Sequence, residues 1–244
     1  MSGCRKTPSV GVAVQELNLL LRKGGQPKRA GRSNVLTGCP AFDRLLGGAG
    51  FERGSLVEWL GEGVGNGASV LALVVAREAC QEGGVLIVVD RCRTFYPPAA
   101  GAWRVDLNNT IVVRPQNDKD EQWVLDQSLR CEHVAAVLAW PERLDSRTFR
   151  RLELAAEASG CLGLLIRPFE VASKSSWADV RLHVSPQASQ AGWCLRVQLL
   201  RRRGGFGEGE VALEINDRTG EIHESHSGSL ASRMAHPAAS ERSA

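Results

Sequence analysis

A glycine-rich loop at residues 61–69 contains the residue types that could hold a phosphate. It reads Gly-Glu-Gly-Val-Gly-Asn-Gly-Ala-Ser and lies between a predicted strand and a predicted helix. Such loops wrap backbone amides around phosphates at a helix N-terminus, while a lysine neutralises the β/γ-phosphate charge and a hydroxyl ligates magnesium. The residues that could form this cradle are Gly61, Gly63, Gly65, Asn66, Gly67 and Ser69.

The same loop lacks the side chains that would hold a nucleoside triphosphate. No register satisfies G-x-x-x-x-G-K-[ST], and no lysine occurs between Lys28 and Lys119. In the most natural register, Gly67 stands at the lysine position and Ala68 at the magnesium-ligand position. We therefore expect a vestigial loop without cofactor or metal, in which the glycines keep a tight turn. Weak anion binding helped by Ser69 is the alternative.

Alternating apolar runs predict the elements that position this loop. Strands are predicted at residues 55–60, 85–90, 110–113, 134–139 and 162–166, and helices at residues 68–81, 121–131 and 146–158. This alternation is typical of an α/β fold with a mainly parallel sheet and helices on both faces. Three further strands, at residues 178–184, 194–201 and 210–215, follow one another without helices and predict a C-terminal antiparallel extension.

The segments on either side of this core differ from it in composition. Residues 1–34 are predicted to form an amphipathic helix, with Leu17, Leu20 and Leu21 on one face, followed by a basic linker. Residues 35–222 form the core, and residues 223–244 lack sustained periodicity and are predicted to be a disordered tail.

Net charge, cysteine spacing and the distribution of apolar residues indicate which classes of protein the chain could belong to. The 244 residues carry a net charge of +3, and the seven scattered cysteines have no metal-ligand spacing, which is typical of reduced thiols. No run of eighteen apolar residues and no signal peptide is recognisable, so we expect a cytoplasmic protein that does not contact a membrane.

Two groups of residues are candidates for contact with other macromolecules. Trp103 and Trp177 lie in less regular stretches and, with the three leucines of the N-terminal segment, are candidate partner-binding residues. Packing of those leucines on the protein's own core is the alternative. Arg201, Arg202 and Arg203 are candidate contacts to a DNA backbone, which salt would weaken. Solvated charge at a strand end is the other interpretation of these arginines.

The segment before the loop resembles the start of RecA-family cores. Residues 36–48 read LTGCPAFDRLLGG, and residues 50–58 read GFERGSLVE. The likeness continues through residues 85–90 and 104–115 and covers about residues 35–221. It implies a RecA-like core.

Against that family's pattern, four parts of the ATPase machinery are missing. The resemblance places Cys92 where a glutamate would activate water, and Trp140 where an aspartate would end an apolar strand. Arg167 and Pro168 stand where a γ-phosphate-sensing asparagine and glutamine are expected, and the loop lysine is absent. The chain is therefore expected to be a retired ATPase and not an enzyme.

Within the superfamily, the chain is most similar to ImuA-like proteins. This resemblance implies a non-catalytic accessory protein of damage-induced (SOS) translesion DNA synthesis. Its expected partners are a polymerase-like mutasome subunit, an error-prone DNA polymerase and also RecA, with DNA contact weak or indirect. Two alternatives stay open: a RecA-type ATPase that uses Ser69 and a displaced Glu142, and an SOS-type cell-division inhibitor.

Overall fold

The computed structural model describes residues 34–188, 193–204 and 209–225. The segment that carries Leu17, Leu20 and Leu21 lies outside the described residues, as does the tail from residue 226 onwards. What the sequence predicts for these two segments stays a prediction.

The described residues form eleven strands and five α-helices, with two short 3-10 helices at Leu107–Asn109 and Phe169–Val171. The strands are β1 (Asn34–Val35), β2 (Phe51–Glu52), β3 (Leu56–Gly61), β4 (Val85–Val89), β5 (Thr110–Val113), β6 (Val134–Ala139), β7 (Leu162–Pro168), β8 (Val180–Gln187), β9 (Trp193–Arg202), β10 (Gly209–Ile215) and β11 (Ile222–Glu224). The helices are α1 (Pro40–Leu45), α2 (Ala68–Cys80), α3 (Pro97–Ala102), α4 (Asp118–Leu129) and α5 (Ser146–Ser159).

Nine of these strands form one sheet in the order β11-β10-β9-β8-β3-β7-β6-β4-β5. The six strands from β8 to β5 run parallel, and β9, β10 and β11 continue the sheet as antiparallel neighbours. The short strands β1 and β2 pair separately. The predicted α/β class, with a mainly parallel sheet and a C-terminal antiparallel extension, is confirmed.

Each face of the parallel sheet has its own hydrophobic core. Successive residues of a strand point to opposite faces. Val57 and Trp59 of β3 therefore pack towards α1 and α2, whereas Leu56 packs towards α4 and α5. Burial on both faces explains why the parallel strands read as apolar runs. Among the described residues, no helix is both long and apolar enough to cross a membrane.

Side-chain caps set the starts of α4 and α5. The carboxamide oxygen of Asn117 accepts a hydrogen bond from the backbone N–H of Asp120 at 2.9 Å. The carboxylate of Asp145 accepts one from the N–H of Thr148 at 2.8 Å. Each cap satisfies a backbone donor that the first helical turn leaves free. Because Asn117 caps it, α4 begins three residues before the start that the apolar pattern indicated.

Five short strands and α-helices were not predicted from the sequence: β1, β2, α1, α3 and β11. Helices α1 and α3 have six residues each, too few for a helical period to show. Strand β11 has three residues and pairs with β10 across a tight turn. It places residues 223 and 224 in the sheet rather than in the tail that was predicted to begin there.

A buried carboxylate lies at the centre of the sheet. Glu58 of β3 has no exposed surface. It accepts a hydrogen bond from Arg167 Nη1 at 2.6 Å and one from Ser176 Oγ at 2.7 Å, and it pairs with Arg181 Nε at 2.7 Å. Strands β7 and β8 and the connection between them supply these partners. Two guanidinium groups and a hydroxyl thus replace water around the charge.

Removing the carboxylate tests how far the sheet depends on it. We expect Glu58→Ala to lower the free energy of unfolding by about 3–5 kcal/mol, because two guanidinium groups then lose their buried counter-charge. Urea unfolding followed by circular dichroism measures the change. Glu224→Ala is the control, since Glu224 pairs with Arg44 at an exposed site and such pairs contribute at most about 1 kcal/mol. Equal losses in the two variants would contradict the prediction.

Candidate functional site

The glycine-rich loop connects β3 to α2 and ends in a left-handed residue. Gly67, the N-cap of α2, has φ of +86°, a conformation that favours glycine. In G-x-x-x-x-G-K-[ST], the second glycine directly precedes the lysine. Taking Gly67 as the second glycine would put Glu62 at the first, so we keep the assignment with Gly67 at the lysine position and Ala68 at the hydroxyl position.

The side chain of Asn66 bridges the inside of the loop. Its Nδ2 donates to the carbonyl of Gly63 at 2.8 Å, and its Oδ1 accepts from the backbone N–H of Ala68 at 2.9 Å. A Cβ placed on Gly61 would lie 2.5 Å from Asn66 Nδ2. The carboxamide thus lies against the strand end and bonds the first amide of α2, which in a working loop would face a phosphate.

Strand β9 closes the loop from the other side. A Cβ placed on Gly67 would lie 2.5 Å from Leu195 Cδ2, and Leu195 itself is fully buried. Ala68 is fully buried as well. A lysine at either position would therefore have to displace the packing between α2 and the antiparallel extension.

The hydroxyl that could ligate magnesium has a protein partner. Trp140, directly after β6, donates from Nε1 to Ser69 Oγ at 2.9 Å. A bulky indole thus stands at the position of the expected acidic residue and is bonded to the one hydroxyl of the loop. Among the described residues, no group of three or more His, Cys, Asp or Glu side chains is placed to hold a metal ion.

A cleft of about 590 Å³ lies beside the loop. Most of residues 61–70 line this cleft. Trp140, Trp193 and the turns after β4, β6 and β7 complete its lining. Its charged lining residues are Glu142, Glu170 and Arg167. Because Arg167 is bonded to Glu58, the described residues that line this cleft would offer a triphosphate two carboxylates and no uncommitted cation.

Glu142, the acid that we considered as a displaced catalytic residue, lies near a cation instead. Arg91 Nη2 lies 3.6 Å from Glu142, Arg91 Nε lies 3.8 Å from Glu121, and Arg91 Nη1 pairs with Asp118. Burial raises the pKa of Glu121, and the charge of Arg91 opposes that rise. The guanidinium therefore organises three carboxylates at the mouth of the cleft.

The turn after β4 places a cysteine rather than an acid at the cleft. Asp90 is buried and accepts hydrogen bonds from the N–H groups of Thr94 and Phe95, at 2.8 and 3.2 Å. Cys92 is exposed and lines the cleft. Asp90 thus shapes the turn, and no carboxylate of this turn is free to activate water.

The three adjacent arginines at the end of β9 lie in three different environments. Arg201 donates to the carbonyl of Ser176 at 2.8 Å, and the guanidinium of Arg202 covers Gly47. Arg203 pairs with Asp179 at 3.3 Å and also with Glu153. The structure does not bring the three together as one free cationic group.

The two candidate tryptophans differ in exposure. Trp103 is half-buried against the turn between β10 and β11, where its Nε1 donates to the carbonyl of Asp217 at 2.8 Å. Trp177 is 41% exposed and donates to Ser146 Oγ at 3.0 Å. Trp177 is therefore the more accessible of the two.

Sequence reasoning missed the contacts that close the loop. Leu195 reaches Gly67, and Trp140 reaches Ser69, from strands that are distant in the chain. The only local signal was the asparagine at position 66, because Asn side chains often bond to backbone groups two residues away.

The sequence is similar to RecA proteins, and the fold is similar to that of a solved recombinase structure. No protein-family model matches the sequence. The chain is similar to the RecA protein of Chlorobaculum parvum, with 30% identity over 133 residues that cover 52% of this chain and 38% of that protein. It is 25% identical to the RecA protein of Clostridium acetobutylicum over 189 residues, covering 66% of this chain and 54% of that protein. The chain thus spans about two fifths to half of these relatives.

The solved structure of the RadB recombinase has the same architecture. It superposes with a TM-score of 0.64 at 18% identity, covering 79% of this chain and all of that one. The fold of this protein is therefore that of RecA and RadB.

Two glycine variants separate backbone strain from the contact with β9. We expect Gly65→Ala to lower the free energy of unfolding by about 1–2 kcal/mol, because φ there is +76° and nothing lies within 4 Å of its Cβ. Gly67→Ala should cost about 1–3 kcal/mol more, because the added methyl meets Leu195. Chemical denaturation measures both, and equal losses would show that β9 does not close the loop.

Proposed function

We propose that this protein is a non-catalytic RecA-fold accessory factor of damage-induced translesion DNA synthesis. The phosphate loop is the observation that carries the proposal. Asn66 bonds the first amide of α2, and Gly67, which stands at the lysine position, is packed against a leucine. The similarity to RecA proteins supports a role in DNA repair.

The electrostatics of the cleft support the loss of catalysis. Phosphoryl transfer depends on positive charge around the β- and γ-phosphates and on a placed base. Here Glu142 and Glu170 line the cleft, and Arg167 is bonded to a buried carboxylate. The cleft therefore offers a triphosphate net repulsion.

An adaptor needs rigid surfaces rather than a reaction centre. We infer that the partners are a polymerase-like mutasome subunit, an error-prone DNA polymerase and RecA. The exposed Trp177 and the three leucines of the N-terminal segment are the proposed contacts. Contact with DNA, if any, would be weak, because Arg201 and Arg203 are bonded within the protein.

A RecA-type ATPase with an unconventional loop is the second candidate, and one observation favours it. Ser69 lies in the first turn of α2, one residue beyond the position of the magnesium-ligating hydroxyl, and could supply such a group. Its bond from Trp140 and the missing lysine weigh against this candidate.

Nucleotide binding separates the two candidates. We expect ATP with magnesium to leave the thermal unfolding of the full chain unchanged, whereas a ligand at about 100 times its Kd would add ~2.7 kcal/mol to stability. Isothermal titration calorimetry measures the heat of ATP binding directly. Ser69→Ala is the control variant: stabilisation by ATP that this substitution abolishes would establish the ATPase candidate instead.

Partner recovery tests the accessory role itself. From DNA-damaged cells of the source organism, we expect the tagged full chain to co-purify with a polymerase-like subunit and an error-prone polymerase. Because binding does not involve nucleotide, Ser69→Ala should recover the same proteins in the same amounts. Recovery of a tubulin-like division protein without either polymerase would favour a cell-division inhibitor and contradict the proposal.

A further inference from the structure

An exposed indole is held in one orientation beside the start of α5. Trp177 is 41% exposed, its Nε1 donates to Ser146 Oγ at 3.0 Å, and the guanidinium carbon of Arg150 lies 4.7 Å from its ring centroid. Both the edge and one face of the ring are therefore fixed by neighbours. A side chain fixed in this way loses little conformational entropy when a partner binds.

The apolar surface continues along α5. Leu154 is 46% exposed and lies one helical turn beyond Arg150, so the two side chains occupy the same face of the helix. Trp177, the aliphatic part of Arg150 and Leu154 thus follow one another across the surface.

Cations flank this apolar line at its Trp177 end, where the neighbouring carboxylates are paired, whereas the exposed Glu157 lies one helical turn beyond Leu154. Glu153 is buried, with 1% exposure, and pairs with both Arg150 and Arg203. Arg203 also lies 3.3 Å from Asp179. The buried carboxylate holds the two guanidinium groups at the surface, where they can still face a partner.

Two more cations border the same region. Arg147 follows Ser146 in the first turn of α5, and Lys174 lies in the connection that leads to Trp177. Both are exposed, and within the described ranges neither has an ion pair at 4.0 Å or less. We call the residues Trp177, Leu154, Arg147, Arg150, Lys174 and Arg203 the Trp177 surface.

We propose that the Trp177 surface binds a partner-protein segment that presents an apolar side chain among carboxylates. The inference rests on the proposed function, because it names the surface through which the accessory protein would dock. Charge complementarity selects the carboxylates, and the Trp177–Leu154 line receives the apolar side chain. Tryptophan and arginine together are typical of the residues that dominate protein interfaces.

A nucleic acid fits this surface less well than a protein. A base would stack on an open indole face, but Arg150 covers one face of Trp177. Backbone phosphates could contact the cations as carboxylates could, so the charges alone do not select between the two. Leu154 adds apolar area that a phosphate backbone would not use.

Photocrosslinking in cells of the source organism tests the inference with the full-length chain. Leu154→p-benzoylphenylalanine places the probe on the surface and leaves Trp177 intact. Trp123→p-benzoylphenylalanine is the matched control, because Trp123 is also exposed, at 38%, but lies on α4. We expect a protein cross-link from position 154, mapped to an acidic segment with an apolar residue, and none of that species from position 123.

Two second-site variants decide whether the surface causes that cross-link. Trp177→Ala and Arg147→Glu should each lower its yield about tenfold or more, as expected for a residue that dominates an interface. An unchanged yield in both, a cross-link to nucleic acid, or no excess over position 123 would overturn the inference.

The outcomes also separate this inference from the proposed function. If the cross-linked protein is unrelated to DNA polymerases, the accessory role fails while the surface stands. If polymerases co-purify equally with the natural chain and with Trp177→Ala, the surface fails while the accessory role stands.

Discussion

The burial of one carboxylate constrains much of the fold. Glu58 is tolerated at the centre of the sheet because Arg167, Arg181 and Ser176 surround it. Arg181 also donates to backbone carbonyls in the connection between β7 and β8, and Arg201 donates to the carbonyl of Ser176. That connection is therefore tied to the core along its length, and the residue that follows Ser176, Trp177, is presented from a rigid base.

The glycine-rich loop is closed by packing and also contains no lysine. In this fold the antiparallel extension reaches the start of α2, where Leu195 packs on Gly67 and a tryptophan bonds to Ser69. Ala68, directly after Gly67, is fully buried. A lysine substituted for Gly67 would place a cation into an occupied apolar site, and the desolvation cost would oppose binding.

Strands and helices whose burial leaves a long, regular pattern of apolar residues could be predicted from the sequence. The parallel strands and α2 could be predicted because both sheet faces are covered, and nine of the eleven strands and helices predicted for the core began within one residue of the observed start. Contacts such as Leu195 with Gly67 join residues that are far apart in the chain, and a local pattern carries no trace of them.

The positions of charged side chains also could not be predicted from neighbouring residues in the sequence. The adjacent arginines at the end of β9 appear as one basic group in the sequence, yet the fold directs them to a carbonyl, to a glycine and to two carboxylates. The cationic surface forms from α5, from the connection before β8 and from only one of these arginines, Arg203. Its arginines are oriented by a buried glutamate and flank an indole and a leucine. A phosphate backbone would use only the charges of such a surface, whereas a protein segment with carboxylates and an apolar anchor would use all of it.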